Sequence, residues 1–149
     1  MKEYILKKIS FDDYPMLLDW ANDPITRSSS FNSDIIDREE HKEFIKTVIK
    51  DKNKNQFIFY LDNKPLGTIR EKRLFNNDLE LSYTVSPKNR NKNIGSKMMM
   101  KYLDGKKGIF ICKIKKHNIA SIKMVTKCDF KLWKEENDIS YYILKLTNE

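Results

Sequence analysis

Cysteine is nearly absent: Cys112 and Cys128 are the whole supply, too few for a disulfide framework and not spaced with histidine as zinc ligands are. That excludes a disulfide-stapled module, leaves both thiols reading as small buried residues, and makes a reducing cytoplasm the expected setting. Glycine and proline are scarce, four of each, and no low-complexity linker or internal repeat divides the chain. No apolar run approaches the ~20 residues of a membrane span. The stretch Met1 to Lys7 lacks the apolar centre of a signal peptide and reads as the start of a first strand. Arginine is rare too, 5 residues against 24 lysines. The net charge of +8 is therefore a spread of lysine mixed with asparagine rather than an arginine-rich surface for reading nucleic acid. It suits a smaller polyanion.

What is present suffices for one domain over residues 1–149. The hydrophobic fraction of 40% supports a core and argues against disorder. Tyr4 to Ile9 reads as a strand. Asp12 or Asp13 can cap a helix with Tyr14, Leu17, Leu18 and Ala21 on one face, stopped by Asn22-Asp23-Pro24. After a polar stretch from Arg27 to Ser33, Asp37 can cap a second helix, with Glu40 completing a capping-box-like pair and an apolar stripe of Phe44, Ile45, Val48 and Ile49. Gln56 to Leu61, Leu66 to Leu74 and Leu79 to Val85 alternate with turn residues and predict an antiparallel meander. Ile94 to Leu103 and Asn118 to Lys127 read as helices. Ile109 to Ile114, Phe130 to Trp133 and Ser140 to Leu146 read as strands. The order gives an α/β domain, a mixed sheet with helices on its faces.

The segment that carries chemistry runs from Val85 to Ser96. A strand ends there, a basic loop follows, and a helix begins. Backbone N–H groups converge at such a helix N-terminus and offer the positive end of its dipole to a phosphate. Asn91 and Asn93 can stand where glycine is expected, because asparagine tolerates the left-handed backbone. Lys88, Arg90 and Lys92 add positive charge. Read alone, the same loop is more simply a solvated basic connection.

Arg90-Asn91-Lys92-Asn93-Ile94-Gly95 resembles the acetyl-CoA signature of the GNAT (GCN5-related N-acetyltransferase) superfamily, Gln/Arg-x-x-Gly-x-Gly/Ala, with Asn93 in place of the usual glycine. Val85-Ser86-Pro87 resembles its Val-x-Pro lead-in, and Asn118 to Met124 its asparagine helix. Phe130 follows Asp129, where the family usually has glycine. The order of elements agrees from Tyr4 to Leu146. The resemblance implies a mostly antiparallel sheet of about seven strands with about four helices, splayed at the acetyl-CoA site.

It also implies roles. The backbone from Arg90 through Asn91, Lys92, Asn93, Ile94 and Gly95 to Ser96 would hold the pyrophosphate of acetyl-CoA. Thr84 and Val85 would face the pantetheine arm, with an N–H near Val85 polarising the acetyl carbonyl. Asn118 and Ser121 would lie along that arm. Glu80 is the expected base and Tyr83 a candidate acid, because the family's tyrosine seven residues after the helix asparagine is Val125 here, which cannot donate.

Trp20 to Arg27, Phe31-Asn32 and Glu39-Glu40-His41 resemble the subgroup that acetylates 4-amino nucleotide-sugars in the synthesis of pseudaminic and related nonulosonic acids. That implies Arg27, Asn32 and His41 on the acceptor side, with Arg27 a candidate for a phosphate or carboxylate. The expected activity is acetyl transfer to a primary amine of a small molecule, with a nucleotide-sugar the implied acceptor and a monomer or homodimer the expected state. Acetylation of a protein N-terminus or another small amine, and a fold that binds CoA without turnover, stay open.

Overall fold

The computed structural model describes residues 3–147, so Met1 and Lys2 of the expected first strand lie outside them. Seven strands form one sheet in the order β1-β2-β3-β4-β5-β7-β6. They are β1 (Tyr4–Lys8), β2 (Lys54–Leu61), β3 (Lys64–Arg73), β4 (Leu79–Val85), β5 (Gly108–Lys115), β6 (Lys131–Glu136) and β7 (Ile139–Leu146). Every pairing is antiparallel except β4 with β5. Tight turns join β2 to β3 and β6 to β7; in the first, Asp62 and Asn63 both take positive φ, the pattern of a type I′ hairpin. The parallel pair needs a crossover, and α4 (Ile94–Leu103) provides it.

The sheet has two unlike faces because strand side chains alternate. One face carries Phe59, Ile69, Leu79, Leu81, Phe110 and Cys112, and α4 and α5 (Ile119–Lys127) cover it with Met98, Met99, Tyr102 and Val125. Each of these large side chains contributes roughly 1.5–3 kcal/mol by leaving water. The other face presents Ile58 and Tyr60 to a smaller cluster built on Leu17, Trp20 and Ile45. Those come from α1 (Tyr14–Ala21) and α3 (Arg38–Lys50).

Three local readings change. The turn before α1 is capped by Ser10, whose N–H bonds Asp13 Oδ2 at 2.8 Å, so neither Asp12 nor Asp13 caps the helix with its side chain. Asn22-Asp23-Pro24 does end α1, but it also starts a further helix, α2 (Pro24–Ser29). The Asp23 carboxylate accepts from the N–H groups of Ile25 and Thr26, and Pro24 takes the first helical position. The domain thus has five α-helices among the described residues. On α3, Asp37 caps as expected, but the buried stripe is His41, Ile45 and Val48. Phe44 and Ile49 lie at its exposed edges.

β4 and β5 pair only from Leu79 opposite Phe110 to Leu81 opposite Cys112, although β4 continues to Val85 and β5 to Lys115. Beyond Leu81 the two strands fork. Gly67 lies beside this fork because nothing larger fits: a Cβ there would stand 2.8 Å from the Thr84 carbonyl oxygen and 3.2 Å from Met98 Sδ.

Candidate active site

A single cavity of about 800 Å³ passes through the fork, lined by Tyr83, Thr84 and Val85 from β4 and Lys113 and Ile114 from β5. On the α4–α5 side its wall is Asn89, Arg90, Asn91, Ile94, Gly95, Asn118, Ser121 and Met124. On the α1–α3 side it is Trp20, Arg27, Phe31, His41, Phe44, Gln56 and Arg70. Ligand chambers of this size are usual for small-molecule enzymes.

The α4 side is built from backbone. Asn91 and Asn93 adopt positive φ (63° and 61°), and no N–H from Asn91 to Ser96 finds an acceptor among the described residues. Six consecutive donors at a helix N-terminus make an anion cradle. Gly95 lets α5 close on it: a Cβ there would meet Met124 Cγ at 3.3 Å and Val85 Cγ2 at 3.6 Å. Ser86 N–H bonds Leu66 O toward β3. By the strand's alternation, Tyr83 and Val85 turn their N–H groups the other way, into the fork. That geometry suits an oxyanion-type donor.

Over residues 4–131 the sequence matches the acetyltransferase (GNAT) domain family. The chain belongs to the GNAT acetyltransferases. A comparison with curated protein sequences finds no match. Among solved structures it is similar to a domain from Methanocaldococcus jannaschii DSM 2661, with 22% identity and a TM-score of 0.82 over 98% of this chain and 100% of that one. The spermidine N-acetyltransferase of Vibrio cholerae, solved with CoA and spermine, superposes with a TM-score of 0.86 at 14% identity, covering 96% and 95%. Campylobacter jejuni N-acetyltransferase PseH, solved with acetyl coenzyme A, gives 0.75 at 19% identity, covering 97% and 100%.

In this GNAT domain the residues expected from sequence are placed unevenly. Asn91, Ile94, Gly95, Thr84, Val85, Asn118 and Ser121 line the cavity. Lys92 and Asn93 are exposed at its margin, while Ser96 is buried and gives its hydroxyl to Asn93 O at 3.0 Å. The Asn118 side chain caps α5, accepting from Ser121 N–H at 3.3 Å. Tyr83 shares a short hydrogen bond with Ser121 Oγ, and burial pushes its phenol well above the usual range. Val125, at the family's tyrosine position, is wholly buried in the core.

The expected base, Glu80, is held in an ion pair. It lies where β4 and β5 are still paired, outside the cavity lining, and its carboxylate holds Lys113 Nζ at 3.0 Å. Arg27 lines the cavity, but its guanidinium fastens the α2–α3 loop: it donates to Ala21 O (2.6 Å), Asn32 O (3.0 Å), Asp34 O (3.2 Å) and Ser30 Oγ (3.0 Å). Four of its five N–H donors are thereby engaged. Asn32 turns its side-chain oxygen to Asp34 N–H at 2.9 Å. The Arg90 side chain leaves the anion cradle and crosses to Asp23 Oδ2 (2.7 Å) and Thr26 Oγ1 (3.0 Å). This contact holds the Asp23 carboxyl below its usual range.

His41 is 5% exposed and lines the cavity, and its Nε2 has no partner among the described residues. Burial lowers its pKa, partly opposed by a backbone hydrogen bond with Tyr14, so the imidazole is neutral at pH 7. Sequence reading missed Gln56, Thr68 and Arg70 altogether. No local pattern marks them, and only the register brings them together: Gln56 pairs with Arg70 and Arg70 with Ser82.

Proposed function

We propose that this enzyme transfers the acetyl group of acetyl-CoA to a primary amine of an amino-sugar nucleotide by direct attack on the thioester. The observation that carries the reading is the single cavity through the β4–β5 fork, with the N–H cradle on one side and a polar chamber on the other. Acetyl-CoA fits the first side: unpaired donors face the position of a pyrophosphate, and the Tyr83 and Val85 N–H groups face that of a thioester carbonyl. The amino-sugar nucleotide reading draws on the run from Asn22 to His41, whose Ile25, Thr26, Arg27, Phe31, Asn32, Glu40 and His41 all line the chamber.

In this reading the C–N bond forms as the C–S bond breaks. His41, neutral and with a free Nε2, takes the proton that the amine gives up and passes it to water. The Val85 N–H donates to the carbonyl oxygen as charge gathers there. Tyr83, kept as a neutral phenol by burial, donates a hydrogen bond to the departing thiolate, which takes its proton from solvent on release. Arg90 and Asp23 hold the cradle and the acceptor wall at a fixed separation.

The test is the melting temperature with acetyl-CoA, followed by transfer to a uridine-diphosphate-linked 4-amino sugar. Ligand at 100 times its Kd adds ~2.7 kcal/mol of stability and raises Tm by several degrees. No shift at millimolar acetyl-CoA would sink the reading.

A further inference from the structure

Resting on the acetyltransferase reading, we propose that Arg70 binds an anionic group of the acceptor, a phosphate or a carboxylate, with Gln56 beside it accepting a hydrogen bond from an acceptor hydroxyl or N–H.

The chamber contains a cation with no carboxylate partner among the described residues. Arg70 lies on β3, on the face that looks toward α3, and its guanidinium carbon sits over the ring of Phe44, 4.8 Å from the centroid. Phe44 lies at the edge of α3's buried stripe, so the ring forms a platform that holds the guanidinium from one side. Among the described residues no carboxylate comes within ion-pair distance of Arg70, and none of its nitrogens has a hydrogen bond. The nearby acid, Glu80, is engaged by Lys113. Burial lowers the Arg70 pKa from its usual value, opposed by the Glu80 charge; the side chain is still charged at pH 7. A half-buried charge without an anionic partner is costly to leave unpaired, so its partner arrives with the ligand.

Gln56 supplies an independent observation. It stands opposite Arg70 in the β2–β3 ladder, is 7% exposed, lines the same cavity, and its Oε1 is without a partner. The orientation of its amide is determined by its neighbour. Thr68 Oγ1 spends its only proton on Phe57 O at 2.8 Å, so it must accept from Gln56 Nε2 at 3.0 Å. Oε1 is therefore the amide atom left without a partner among the described residues, and it needs a donor. An unpaired cation beside an unpaired acceptor fits an anion flanked by a hydroxyl or N–H. It does not fit a bare polyamine, whose ammonium groups Arg70 would repel. Arg27, the arginine that the sequence nominated for this role, has given its donors to its own loop.

The experiment assays the wild type, Arg70→Ala and Arg70→Lys with three amines: a uridine-diphosphate-linked 4-amino sugar, glutamate and spermidine. Calorimetry measures acetyl-CoA affinity separately. The expected result is transfer to an anionic amine by the wild type. In Arg70→Ala the KM for that amine rises about 10- to 100-fold, while kcat and the acetyl-CoA Kd stay within about twofold, and Arg70→Lys recovers part of the loss. Preference for the sugar nucleotide assigns the anion to phosphate, and preference for glutamate assigns it to carboxylate. Should Arg70→Ala fail to fold, Arg70→Lys and Arg70→Gln carry the same comparison. An unchanged KM, a preference for spermidine, or neither anionic amine used at 10 mM overturns the Arg70 assignment while acetyl-CoA binding persists. If the wild type does not bind acetyl-CoA, the acetyltransferase reading falls and Arg70 with it.

Discussion

The two sides of the cavity are built by different means. The α4 side offers backbone N–H groups from one continuous loop, Asn91 to Ser96. The α1–α3 side offers side chains from separate elements: His41 and Phe44 from α3, Gln56 from β2 and Arg70 from β3. A backbone site tolerates changes of side chain as long as φ and ψ are kept. A side-chain site tolerates changes of loop but not of the few groups that touch the ligand. One strut, the 2.7 Å contact of Arg90 with Asp23, joins the two sides.

That contrast can be broken most severely on the acceptor side. His41→Ala should lower kcat by about 10²–10⁴ with acetyl-CoA affinity unchanged, read by steady-state kinetics and calorimetry. In the wild type, kcat should hold through neutral pH and fall only below pH 6.5, as the buried imidazole takes its proton. Stability follows the same sign. The unfolded chain binds the His41 proton more readily than the folded one, so the His41 contribution is full above pH 6.5. It declines as pH falls from there toward the lowered folded value.

Next in size is the strut. Arg90→Ala should weaken acetyl-CoA binding about tenfold, and Asp23→Ala should do nearly the same. The double variant should lose little more than either single change, because the two side chains act as one contact. Simple additivity in calorimetry would mean that the pair does not hold the cradle.

A sharper test of the backbone side is the pair Asn93→Gly and Asn93→Val. Glycine accepts the left-handed conformation, so Tm and acetyl-CoA affinity should hold or rise. Valine should cost about 1–2 kcal/mol and lower Tm by a few degrees. The smallest effect is expected at Glu80→Gln: kcat unchanged, and stability altered by ~0–1 kcal/mol, as for other half-exposed ion pairs. A kcat loss of tenfold or more would return Glu80 to the chemistry.

Much of the cradle was legible because a helix N-terminus and its left-handed turns are local events. The spacing of Asn91, Asn93 and Gly95 carries them, and the positive φ of both asparagines and of Asp129 follows. The extent of β4 and of α4 was legible for the same reason: turn residues and a helical stripe mark their ends. α2 was missed because Asn22-Asp23-Pro24 is both a stop and a start, and a six-residue helix has too little periodicity to announce itself.

By itself, then, the sequence determined the element order apart from α2, the sheet's alternation and the left-handed turn before α4, since each depends on residues within a few positions of one another. Only the tertiary structure decided which charges are free. The sequence nominated Arg27 and Arg90 as binding residues and passed over Arg70. One is consumed by its loop, one braces two walls, and one is left unpaired over Phe44. The same holds for Glu80, placed by a strand pairing that ends one residue beyond it. Partnership between charges depends on strand register and helix docking. Those are set by burying the apolar faces, a process to which the charges themselves contribute little.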